Sequence, residues 1–93
     1  MPISRAEIAT ESGAKLINRL CKHWAHKLEV EQKEGEGRVA FEDGTCLMQA
    51  DADKLVVAIE ALDEEGLDRL EGVVASHLER MAGDEGLVIV WEN

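Results

Sequence analysis

Ninety-three residues suffice for one hydrophobic core and fall short of two, since a single core organises about 100–150 residues. With 45% hydrophobic residues, 32% charged residues and one proline, the chain is globular, because it holds enough apolar surface to offset chain entropy. Acids outnumber bases 20 to 10, a net charge of −10, which argues against nucleic-acid or anionic-membrane binding, where basic charge must displace counterions. No apolar run approaches the roughly 20 residues of a membrane helix, and no basic-then-apolar leader opens the chain. Two cysteines are too few for a disulfide framework, so a cytoplasmic location is expected.

One domain over 1–93 is expected. Residues 3–9 pair as a strand, and Thr10 or Ser12 then offers an oxygen to start a helix. From about 12 to 27 that helix is marked by Leu16, Ile17, Leu20, Cys21, Trp24 and Leu28 at helical spacing. Residues 28–33 alternate as a half-buried strand, and Glu34-Gly35-Glu36-Gly37 reads as a turn. Asp43-Gly44 fits a two-residue type I′ hairpin turn between 38–42 and 45–50. That register pairs Phe41 with Cys46 and Val39 with Met48, all on the core side. Asp51-Ala52-Asp53 turns into 54–60, where Leu55, Val57 and Ile59 point inward. Asp63 caps a second helix with Leu67, Leu70, Val74, Leu78 and Met81 as its apolar stripe, and Gly83 ends it. Leu87–Trp91 is expected to close the sheet. The fold class is α+β, in the order β-α-β-β-β-β-α-β, with two helices on one face of a mainly antiparallel sheet of five or six strands.

Charge is unevenly spread along the chain. Residues 1–28 carry five bases against two acids, and residues 29–93 five bases against 18 acids. On a helical wheel with Leu16 at zero, Lys15, Arg19, Lys22 and His26 fall between about 240° and 300°, opposite the apolar face. This stripe, with His23 and Lys27, is the candidate surface for an anionic small ligand or an acidic protein partner. Equally, it reads as a solvated face that offsets the acidic remainder.

Metal chemistry is the alternative. His23 lies near 340° on the wheel, about 60° from His26, and His77 sits in the stripe of the second helix. Helices lying side by side would bring His77 toward His23, giving a three-histidine site for a transition metal at His23, His26 and His77. The competing reading makes His77 a core residue bonded to a backbone carbonyl. Cys21, at about 140°, is on the far side of the helix from His26 and reads as a small buried hydrophobe, as does Cys46. No nucleophile–base pair, phosphate loop or cofactor fingerprint is present, so no catalytic residue is assigned and no cofactor is expected beyond that metal alternative. Asp84 and Glu85 read as loop solvation.

Ala9-Thr10-Glu11-Ser12-Gly13, Leu20-Cys21-Lys22-His23-Trp24-Ala25-His26-Lys27 and Val73-Val74-Ala75-Ser76-His77-Leu78 resemble a family of small bacterial proteins classed as a domain of unknown function. The likeness extends to the hairpin with Cys46 and the end with Trp91, while Met81 departs from the aromatic residue expected there. Such domains look to occur beside, or fused to, siderophore-interacting flavin reductases. The resemblance therefore implies an association with iron uptake and no catalytic residues. The first expectation is a non-enzymatic binding or accessory domain, with a siderophore-interacting reductase as its partner. A metal-dependent enzyme or sensor, and a purely structural or dimerisation domain, are the other readings.

Overall fold

The computed structural model describes residues 1–93. In Ile3–Ala9 (β1), Ser4, Ala6 and Ile8 are buried while Ile3, Arg5, Glu7 and Ala9 face solvent. In Glu29–Lys33 (β2) only Val30 is half-buried and Gln32, expected inward, is exposed, whereas the same two-residue alternation runs through Glu36–Phe41 (β3), Gly44–Ala50 (β4) and Lys54–Ala61 (β5). The five strands form one sheet in the order β1-β5-β4-β3-β2, every pairing antiparallel. Because β1 and β2 lie at opposite edges, the helix joining them must cross the sheet. That helix, Gly13–Trp24 (α1), packs on β3, β4 and β2, and Glu64–Ala82 (α2) packs beside it on β5. Two layers result, with one core between them and the other sheet face open.

The apolar spacing accounts for this core. Leu16, Ile17, Leu20, Cys21 and Trp24 of α1, and Leu67, Leu70, Val74 and Leu78 of α2, are buried against Val39, Cys46, Met48, Leu55, Val57 and Ile59. Met81 and Phe41 pack at its margin. Gly37 permits the close approach of α1, for a Cβ there would stand 2.8 Å from Ile17 Cγ2 and 2.9 Å from Cys21 Sγ. As expected, Asp63 caps α2 by accepting from Gly66 N at 2.7 Å, and Gly83 stops it with φ of 62°. No helix is long and apolar enough to cross a membrane.

Beyond the expected turn over 34–37, which shrinks to Glu34-Gly35 because Glu36 and Gly37 already pair with Gln49 and Met48 in the sheet, four details differ from the sequence reading. The β3–β4 turn is Glu42-Asp43, with Phe41 opposite Gly44 and Val39 opposite Cys46. No residue of this turn has positive φ, so the type I′ geometry is not formed. Gly44 serves another purpose: a Cβ there would strike the Glu60 carbonyl oxygen and stand 2.8 Å from Ala61 Cα of β5. The new register keeps the same parity across the pair, so Val39, Phe41, Cys46 and Met48 still face the core side.

The chain end is the second difference. Gly83–Glu85 forms a single 3₁₀ turn, and the segment beyond meets the sheet at one residue pair, Arg5 with Glu92, by reciprocal backbone bonds of 2.9 and 2.8 Å. Thr10 Oγ1 donates to the Glu85 carboxylate, anchoring the other end of the segment. Glu85, exposed as the solvation reading has it, is thus also tied to Thr10 just beyond β1, the third difference. Between these two ties the segment makes no further ladder pairing, although Leu87, Ile89 and Trp91 still pack on the core. Lastly, α1 ends at Trp24 rather than Lys27, and Ala25–Lys27 is a turn. At its start, Thr10 Oγ1 accepts from Ser12 N at 3.0 Å, whereas the Ser12 side chain caps nothing.

Candidate functional site

The amphipathic pattern of α1 decides which side chains reach solvent. With its apolar face pressed on the sheet, Lys15, Arg19, Lys22 and His23 stand exposed, and His26 and Lys27 are exposed in the turn that follows. All six expected surface residues therefore lie along one helix and its end. Arg19 is engaged, donating through its guanidinium to the Met81 carbonyl at 2.8 Å. That oxygen belongs to the last turn of α2, where unpaired carbonyls carry partial negative charge.

Three lysines of this face carry unpaired charge, as Lys33 and Arg80 do elsewhere on the surface. Four ion pairs form in the molecule: Arg5–Glu7, Lys54–Glu7, Arg38–Glu31 and Arg69–Asp43. None includes Lys15, Lys22 or Lys27, despite 20 acids in the chain. Their charge is left for solvent or a partner. By contrast, the Lys54 ammonium and then Arg5 hold the Glu7 carboxyl below the usual carboxylate range, and Glu7 in turn holds Lys54 above its own.

At the C-terminal end of α1 the aromatic residues gather against α2. The His23 and His77 ring centroids are 5.2 Å apart, and Trp24 is 5.2 Å from His77 and 5.1 Å from Phe41. Trp24 is buried, as its wheel position implied, and acts as the wall behind both imidazoles. His77 Nδ1 is 2.7 Å from the Val73 carbonyl oxygen, the backbone bond that the core reading required. The helices thus lie side by side and bring His23 to His77, whereas His26 is exposed beyond the helix end. No three His, Cys, Asp or Glu side chains form a group that could hold a metal ion.

Little here resembles a catalytic constellation. Cys21 and Cys46 are buried, and burial pushes both thiols up, Cys46 to about 12 with the nearby Cys21 adding to the effect. Held neutral and out of solvent, neither is presented as a nucleophile. On the open sheet face a shallow groove runs past Arg38, Leu47, Gln49, Val56 and Ala58. The alternation of β3–β5 marks these as outward residues, but nothing in one strand's sequence says that they adjoin.

Comparison with known proteins places these features in a family. A family model described as an uncharacterized protein conserved in bacteria (DUF2218) matches residues 5–92. The NMR structure of PA4090 from Pseudomonas aeruginosa is 42% identical in sequence, with a TM-score of 0.85 over 99% of this chain and 96% of that one. No curated protein matches the chain. With the match running from β1 to the Glu92 bridge, this chain belongs to the bacterial DUF2218 family.

Proposed function

We propose that this domain is a non-enzymatic binding module that presents the basic face of α1 to an anionic small ligand or an acidic protein partner. The observation that carries the reading is the set of exposed, unpaired cations Lys15, Lys22 and Lys27, with His26 beside them, on a molecule of net charge −10. A folded acidic protein gains by pairing its few bases internally, so cations left free along one helix are available to another molecule. Arg19 supports the face from behind by tying α1 to the end of α2. Its resemblance to domains found with siderophore-interacting flavin reductases makes such a reductase, and a ferric siderophore, the first molecules to try.

Calorimetric titration of the chain with a purified siderophore-interacting reductase, and separately with a ferric siderophore, tests the reading. Saturable binding is expected that weakens about tenfold or more between low and high salt, as screened charge pairs require. Lys22→Glu combined with His26→Ala abolishes it. Affinity unchanged by salt and by that double variant sinks the proposal.

A further inference from the structure

We infer that His23 and His77 form a two-imidazole site for a borderline-soft divalent transition ion, at the seam where α1 meets α2. The inference stands apart from the basic face and does not depend on what that face binds.

Consider first the donors. A backbone carbonyl only accepts, so the 2.7 Å contact from His77 Nδ1 to Val73 O puts the ring proton on Nδ1. The Nε2 lone pair of His77 is then free, the arrangement in which a second hydrogen bond fixes the tautomer of a metal-ligating histidine. His23 is exposed and makes no side-chain hydrogen bond or ion pair, so nothing in the protein competes for its ring nitrogens.

Spacing comes next. An imidazole nitrogen about 2.1 Å from an ion puts the ring centroid about 3.2 Å away, and two rings at a tetrahedral angle then stand about 5 Å apart. The observed separation is 5.2 Å, with the rings tilted by 50°. The pair is held from two helices whose mutual position is fixed by core packing and by Arg19, so little order must be imposed on binding. Trp24 is buried beside them, its ring 5.2 Å from His77 and 6.5 Å from His23, and flanks both imidazoles.

Ligand type then narrows the ion. Neutral nitrogen donors without a carboxylate or thiolate suit zinc, nickel, cobalt or copper and not calcium or magnesium. Since no third His, Cys, Asp or Glu joins them, water fills the remaining positions and the site stays open. An ion bridging α1 and α2 binds the folded state alone and raises its stability by mass action.

Zinc added to the labelled chain, followed by two-dimensional NMR of the imidazoles, is the test. At one equivalent the ring signals of His23 and His77 shift together while those of His26 do not. His23→Ala, at an exposed position that leaves the core intact, lowers zinc affinity by at least about tenfold. His26→Ala leaves it unchanged, although the same change weakens binding on the basic face. Rings of His23 and His77 that stay fixed at tenfold excess overturn the inference, as does zinc affinity equal in His23→Ala and the parent chain. The contact is then aromatic packing only.

Discussion

Gly37 and Gly44 carry more structural consequence than their size suggests, and for different reasons. An alanine methyl at position 37 would press on the side-chain ends of Ile17 and Cys21, which can shift. At position 44 it would meet the backbone of Glu60 and Ala61, which cannot give way without unzipping β4 from β5. Gly37→Ala should therefore destabilise by about 1–3 kcal/mol, as overpacking does, and Gly44→Ala by more, both read from urea unfolding. Equal costs would mean that the two sheet positions relax alike. The thiols give a pH prediction at the same scale. A buried thiol with its pKa raised to about 12 stabilises the fold fully below the unfolded value, and that contribution is lost as pH rises toward 12. Stability should thus fall above about pH 8.5, where unfolded thiols begin to ionise, and Cys46→Ala should flatten that limb. Neither thiol should react with a thiol reagent in the native protein at neutral pH.

At the level of elements, the two helices are terminated by quite different devices. Asp63 caps α2 through its own carboxylate, so Asp63→Ala should cost about 1 kcal/mol. Arg19 belongs to α1 yet serves the C-terminal carbonyls of α2, and Arg19→Ala should cost about 0.5 kcal/mol in thermal or urea unfolding. Lys15→Ala, on the same face without a partner, should leave stability unchanged. This contrast separates the cation that holds the fold from those left free. Both helices and four of the strands were legible in the periodicity of the sequence because each has one wet and one buried face. Edge strand β2 half-buries only Val30, and the start of β3 was hidden in a turn-like Glu-Gly repeat. The fate of the closing strand over 87–91 was not legible. Its alternation is genuine, with Leu87, Ile89 and Trp91 inward, but those side chains pack on the core while the backbone bridges the sheet only at Arg5 and Glu92, which the alternation does not reveal. The hairpin register was hidden for a similar reason: Asp43-Gly44 carries the local signal of a turn, and the demand on Gly44 comes from β5, a strand later in the chain. Sequence alone likewise placed His77 within reach of His23 only on condition that the helices lie side by side.

The whole molecule is an acidic sheet with a basic helix laid across it. Crossing from β1 at one edge to β2 at the other obliges α1 to lie over the sheet, and its apolar stripe then turns Lys15 and Lys22 to solvent. Four of the five bases of residues 1–28, Lys15, Arg19, Lys22 and Lys27, therefore share a face of the folded domain, Arg5 lying apart in β1, while the −13 remainder lies in the other strands, α2 and the chain end. A dipolar molecule of this kind orients toward an acidic partner before contact and loses that steering in salt. Which residues line the face was legible in the helical spacing, but the absence of internal partners for Lys15, Lys22 and Lys27 required the fold. The most direct measurement is a map of backbone amide shifts on the labelled chain as unlabelled siderophore-interacting reductase is added. A binding face on α1 predicts shifts concentrated over residues 15–27 that vanish at high salt. Shifts centred on Leu47 and Val56 of the open sheet face, or none at saturating reductase and with ferric siderophore, would contradict it.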